Sequence, residues 1–259
     1  MALAKRKSRN TRRAQHHNHA NDEFFEIEAP TTKIGKNFTT HDIKPLQAKT
    51  DKQAQFIKAF FQQVPILVQY GSAGTGKTSV ALYCALSEVL DRSTPFDKII
   101  IIRSAVQARD IGFLKGTEEE KNEAYEIAYK GLCDELMIYK SNNYRNLKEK
   151  GIIEFHNTSF MRGQTWNNTI VIVDEAQSAT YHELATAMTR LGTDSKIIFC
   201  GDMKQSDLHK KGDTSGLPQL MRVLEKMPED MVEFVVYTPE DIVRSGLVKE
   251  FLLAEEKVT

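Results

Sequence analysis

The chain is short of cysteine and lacks any long apolar run, and each shortage excludes something. Its three cysteines, Cys84, Cys133 and Cys200, are far apart and odd in number. They offer neither a disulfide framework nor paired metal-ligand spacing, so a reducing, cytoplasmic setting is expected. No stretch reaches the roughly 18 consecutive apolar residues that a membrane-spanning helix needs. The amino terminus is basic but has no apolar core behind its charges, so it does not read as a secretory signal. Acidic side chains are missing from positions 1–20, which hold Lys5, Arg6, Lys7, Arg9, Arg12 and Arg13. Over all 259 residues 35 basic groups balance 35 acidic ones, so the neutral total describes a basic tail on a body carrying six net negative charges. There is no internal repeat, and 41% hydrophobic with 27% charged residues is an ordinary globular balance.

Residues 1–45 show no apolar periodicity and read as a basic, flexible, disordered N-terminal arm, with a short ordered piece around Phe24–Ile27. Such an arm can hook nucleic-acid phosphates by releasing counterions, or can simply be solvated. Residues 46–259 read as one domain. Phe56, Ile57, Phe60 and Phe61 recur at helical spacing from a start at Thr50 or Asp51, and Pro65 closes that helix. Strand-type runs follow at 66–70, 98–103, 151–155, 169–174, 196–200 and 232–237, with helical stretches at 79–90, 118–140, 180–191, 215–227 and 239–255. Strands alternating with helices predict an α/β fold, a parallel sheet with helices on both faces.

Three segments carry chemistry. Gly71-Ser72-Ala73-Gly74-Thr75-Gly76-Lys77-Thr78 fits G-x-x-x-x-G-K-[ST] between a predicted strand and a predicted helix. Its glycines let backbone N–H groups wrap phosphate oxygens, and the helix N-terminus adds positive partial charge. Lys77 is expected to reach the β- and γ-phosphates, and Thr78 to offer its hydroxyl to Mg2+. In the second segment, Val171-Ile172-Val173 deliver Asp174 and Glu175 to a strand's carboxyl end, where α/β sheets bind ligands. There Asp174 is expected to hold Mg2+ and Glu175 to deprotonate an attacking water. The third, Gly201–Asp207, follows another buried strand and contains Gln205, which is placed to hydrogen-bond a γ-phosphate and the water beside it.

Together these residues resemble the RecA-like core of superfamily-one helicases and, more closely, the PhoH family of P-loop ATPases. The resemblance runs from about Thr50 to Ala254. It includes Thr50–Gln53, Arg103–Val106, Ile111–Gly116, Arg162–Trp166, Asp174–Gln177, Leu184–Gly192, Gly201–Leu208, Ser215–Leu217 and Asp241–Arg244. Ser104 stands where the family usually has a proline, which leaves the rigidity of that loop open.

The resemblance implies that Gln53 reads adenine, that Gln205 senses the γ-phosphate, and that Arg162, Arg190 and Arg244 are the arginines able to stabilise the transferring phosphoryl group. It implies a Mg2+-dependent ATP hydrolase, a homohexamer with ATP sites at subunit interfaces, and single-stranded RNA or DNA as a partner of a motor or helicase. An ATP-dependent switch that recruits an RNA-processing nuclease is the alternative. The short chain and basic tail look like the versions carried by tailed bacteriophages, which would place the protein in host cytoplasm. Trp166 can stack on a base or cover the sheet's edge; Phe113, Arg103 and Arg109 can meet nucleic acid or solvent.

Overall fold

Among the described residues, segments rich in isoleucine and valine form six strands: β1 (Ile66–Gly71), β2 (Lys98–Arg103), β3 (Ile153–Asn157), β4 (Thr169–Asp174), β5 (Lys196–Gly201) and β6 (Val232–Tyr237). They make one sheet in the order β3-β2-β4-β5-β1-β6, and every neighbouring pair runs parallel. The helices are α1 (Asp51–Phe61), α2 (Lys77–Leu90), α3 (Glu118–Leu136), α4 (Asn143–Glu149), α5 (Tyr181–Met188), α6 (Leu217–Leu224) and α7 (Gly246–Val258). The computed structural model describes residues 38–104, 118–139, 141–158, 161, 163–202 and 215–258.

Alternate strand residues feed two separate cores. Leu67, Ile99, Ile101, Ile170, Ile172 and Ile198 pack with buried residues of α1 to α4. Val68, Ile100, Ile102, Val171, Val173 and Phe199 pack on the other face with Leu184, Ala187, Leu217 and Leu220 of α5 and α6. Burial on both faces is why β2 and β4 read as unbroken apolar runs rather than as alternating ones. Helix starts follow the sequence where a cap is present. The Thr50 hydroxyl accepts from the Gln53 backbone N–H, and Thr180 forms a reciprocal capping box with Glu183.

Beyond shifts of two or three residues at the ends of β3, α5 and α6, the structure departs from the sequence reading in three larger ways, each for a packing reason. The single helix expected over 118–140 ends at Leu136, and a second begins at Asn143. Asn142 there adopts φ +63°, while Asn143 Nδ2 donates to Asp134 Oδ1 at 2.7 Å and to the Tyr139 carbonyl at 2.9 Å. The closing helix expected from Pro239 is interrupted: a 3-10 turn at Pro239–Asp241 precedes α7. Between them Ile242 is buried, and the Val243 N–H donates to the Gly74 carbonyl at 3.1 Å, so docking on the glycine loop outcompetes helix continuation. Lastly, the arm expected to run to residue 45 packs onto the domain from Phe38. The Phe38 ring meets Tyr139 edge-on at 6.1 Å, Ile43 bridges Met137, and Asp42 accepts the Tyr139 hydroxyl at 2.8 Å. Anchors as widely spaced as Phe38 and Ile43 are too sparse to show as periodicity. Residues 1–37 of the arm lie outside the described residues.

All three cysteines are free and buried, which sets an alkaline limit on stability. Burial pushes the Cys133 thiol up from 9.0 to about 12 and raises Cys84 and Cys200 as well. Burial likewise raises the phenols of Tyr144 and Tyr237. A folded state that keeps protons the unfolded chain releases is at full advantage below pH 9 and loses it above, at up to about 1.4 kcal/mol per pH unit for each group. Lys196, lowered by burial to about 8, and Lys77, also lowered by burial, act oppositely up to their ordinary 10.5, but they are two groups against three thiols from pH 9, joined by the phenols above their ordinary 10. The melting temperature, with thiols kept reduced, is therefore expected to fall steadily from pH 9 to 10.5. A flat or rising profile would contradict this.

Candidate functional site

The carboxyl ends of β1, β4 and β5 open on one cleft of about 480 Å3. Because β5 lies between β1 and β4, its end at Asp202 borders both the glycine loop and the acid pair. Glycine is required where the loop leaves β1. Gly71 has φ +119°, and a Cβ there would sit 1.9 Å from the Tyr237 carbonyl oxygen of β6. That carbonyl also accepts the Ser72 N–H at 3.2 Å. Gly76, at φ +83°, is the N-cap of α2, so the loop closes with Lys77 and Thr78 in the first helical turn.

Beneath the loop lies a buried polar network. Gln69 Nε2 donates to the Lys77 carbonyl at 2.9 Å, and its Oε1 accepts the Tyr237 hydroxyl at 3.2 Å. Lys77 Nζ lies inside the loop, donating to the Gly71 and Ser72 carbonyls at 2.8 Å each. Burial lowers the pKa of Lys77, and the Asp202, Glu175 and Asp174 carboxylates work against that shift.

The acid pair is held from several directions. Asp174 Oδ1 accepts the Thr78 hydroxyl at 2.8 Å and Oδ2 accepts the Tyr129 phenol at 2.7 Å. Glu175 sits at φ +51°, a turn that lets it leave the strand beside Asp174. The Gln177 amide bridges Glu175 Oε2 at 2.6 Å and the Asp202 N–H at 2.9 Å. Arg103 Nη2 approaches Glu175 Oε1 to 3.8 Å, with its guanidinium over the Tyr125 ring at 5.6 Å. Partial burial and the Asp174 charge raise the Glu175 pKa, offset by Gln177, Arg103 and Lys77.

Of the residues singled out from sequence, Ala73, Gly74, Gly76, Lys77, Thr78, Asp174, Glu175 and Arg244 line this cleft, as does Arg103. Ser72 and Thr75 are buried in the loop itself. Gln53 is beside it but engaged: Nε2 donates to the Thr75 carbonyl at 2.8 Å, and Oε1 accepts the Lys49 N–H at 2.7 Å. In this structure Gln53 braces the loop. Arg190 is not at its own chain's cleft. Its carbonyl accepts the Trp166 N–H at 2.8 Å and its Nη1 donates to the Gln164 carbonyl at 3.4 Å, ahead of the start of β4, whereas Asp174 closes that strand at its other end. Gln205, Arg162, Arg109 and Phe113 lie outside the described residues. Trp166 is buried in the core beside α5 and α6, so it packs rather than stacks on a base.

Sequence reasoning misses Tyr129, Gln69, Tyr237 and the place of Asp202 between loop and acids. Gln69 has a signal, a polar residue inside an apolar strand next to the loop; Tyr129 has none.

The residues present fit a nucleotide with Mg2+. A loop whose Gly71, Gly74 and Gly76 all adopt positive φ has the tight turns that backbone N–H groups need to wrap a phosphate. Thr78 and Asp174 are hard oxygen donors. Both suit an ion that takes the rest of its ligands from phosphates and water.

The sequence profile of a family described as PhoH-like protein matches residues 45–256. The chain belongs to the PhoH family. It is 36% identical over 214 residues to a PhoH-like protein of Synechocystis, covering 82% of this chain and 62% of that protein. It is 34% identical over 239 residues to the PhoH-like protein of Bacillus subtilis, covering 91% of this chain and 70% of the relative. This PhoH-family chain thus spans about 62–70% of the length of those curated relatives. Among solved structures, the large terminase of a thermophilic bacteriophage in complex with ADP aligns at a TM-score of 0.42 and 14% identity, covering 78% of this chain and 48% of the terminase. Among the described residues no helix is long and apolar enough to cross a membrane.

Proposed function

We propose that this PhoH-family chain hydrolyses ATP with Mg2+ and does so as a nucleic-acid-dependent motor. The observation that carries the reading is the junction of loop and acid pair: the Thr78 hydroxyl bonded to Asp174 at 2.8 Å, with Glu175 next in sequence and in the same cleft. The loop's N–H groups and Lys77 bind the phosphates, and Thr78 and Asp174 hold the metal. Mg2+, when bound, neutralises charge on the β- and γ-phosphate oxygens. The Glu175 carboxylate takes a proton from water as its oxygen attacks the γ-phosphorus and the bond to the β-phosphate breaks, leaving ADP and phosphate. Gln177 holds that carboxylate in place, and Arg244 and Arg103 offset charge at the cleft.

We extend the reading to a homohexamer with interfacial sites. Arg190, bonded to Trp166 and Gln164 ahead of the start of β4 rather than at its own acid pair, would act on phosphate at a neighbouring copy, and Arg162 remains a second choice for that role. Sedimentation or mass photometry that finds an ATP-hydrolysing monomer would remove this extension. Single-stranded RNA or DNA in low salt is expected to raise ATP turnover several-fold, the basic residues at 5–13 supplying part of the affinity. Turnover indifferent to every polynucleotide, with partner binding that depends on nucleotide, would favour the switch that recruits an RNA-processing nuclease.

A further inference from the structure

We propose that Tyr129 is a positioning residue for Asp174, so that helix α3 forms the second wall of the metal site. The inference rests on the nucleotide-and-metal reading above. A carboxylate held at one oxygen can pivot about its side-chain torsions; one held at both cannot. Asp174 is held at both, by the Thr78 hydroxyl on Oδ1 and the Tyr129 hydroxyl on Oδ2, at 2.8 and 2.7 Å. The two donors come from different helices. Thr78 belongs to the phosphate loop and α2, whereas Tyr129 is 45 residues upstream of Asp174 on α3, so the acid keeps one anchor that is independent of the loop.

Packing alone does not explain the hydroxyl. Tyr129 is 1% exposed, and its ring lies against Phe155 of β3 at 5.9 Å. Phenylalanine would fill the same space without a buried polar atom to satisfy. The phenol's partner is the carboxylate that Thr78 also holds, and Tyr129 itself lines the cleft. One turn earlier on the same helix, Tyr125 lies under Arg103 at 5.6 Å, and Arg103 reaches Glu175. The α3 tyrosines therefore address both acids, Tyr129 directly and Tyr125 through a guanidinium.

The test compares binding of a non-hydrolysable ATP analogue to the full chain in EDTA and in Mg2+, for the wild type and for Tyr129→Phe. The isosteric variant should keep its metal-free affinity, while the gain in affinity on adding Mg2+ falls about 10-fold or more, the usual consequence of losing a partner that orients a metal ligand. An unchanged Mg2+ gain would overturn the inference. So would a parallel loss of affinity with and without metal, because that marks a structural role only. A wild type whose affinity ignores Mg2+ would instead sink the proposed function, and this inference with it.

Discussion

Glu175→Gln is expected to retain nucleotide and to hydrolyse it about 100- to 10,000-fold more slowly, the usual worth of a positioned general base. The amide nearly matches the carboxylate in shape, so it can keep a bond to Gln177, which sits at 2.6 Å in the native chain. What it cannot do is accept a proton from water. The substitution also removes one of two adjacent negative charges, the one whose pKa burial and Asp174 push upward. Nucleotide affinity should accordingly hold or rise. Equilibrium binding and single-turnover hydrolysis, measured side by side, separate the two effects. A variant that turns over at the wild-type rate would assign the base elsewhere; one that loses nucleotide altogether would make Glu175 part of the binding site instead.

The second large effect concerns folding rather than chemistry. Gly71→Ala should destabilise the domain by roughly 2–5 kcal/mol, combining backbone strain with overpacking. The new Cβ would meet the Tyr237 carbonyl oxygen at 1.9 Å, and the φ of +119° is one that L side chains rarely adopt. The obstruction is backbone, so no side chain can rotate away. Relief requires β1 and β6 to part at the register where Gly71 pairs with Tyr237, and that also withdraws the acceptor of the Ser72 N–H. Gly131 is the contrast: it lies in α3, and a Cβ added there would find nothing within 4 Å. Alanine at that position should stabilise by about 0.5–1 kcal/mol. Urea denaturation of both variants reads the difference directly, and a Gly71→Ala chain as stable as the wild type would contradict the close approach at the strand's end.

How much of the site is legible in the sequence depends on how local each requirement is. The glycine loop, Lys77 and Thr78 are contiguous because a single strand-loop-helix turn supplies them. The acids are contiguous because one strand delivers both. The apolar runs of β2 and β4 predict burial on both faces, and the cap at Thr180 places the start of α5 at the residue the sequence indicates. Elements whose ends depend on distant partners are not legible in this way. The break before α7 is held by Val243 bonding to Gly74, far upstream in the chain, and the local hint of Ser245-Gly246 is too weak to place it. The same holds at the arm's end, where Phe38 and Ile43 find Tyr139 and Met137.

By itself the sequence determined the alternating α/β order, the phosphate loop and the paired carboxylates, because these follow from periodicities and spacings within a few residues. Only the tertiary structure decided which arginines stand in the cleft, that Gln53 and Gln69 brace the loop, that Gln177 ties Glu175 to the end of β5, and that Tyr129 grips Asp174. Those contacts join residues far apart in the chain, and strand order with helix packing, rather than local preference, brings them within hydrogen-bonding distance.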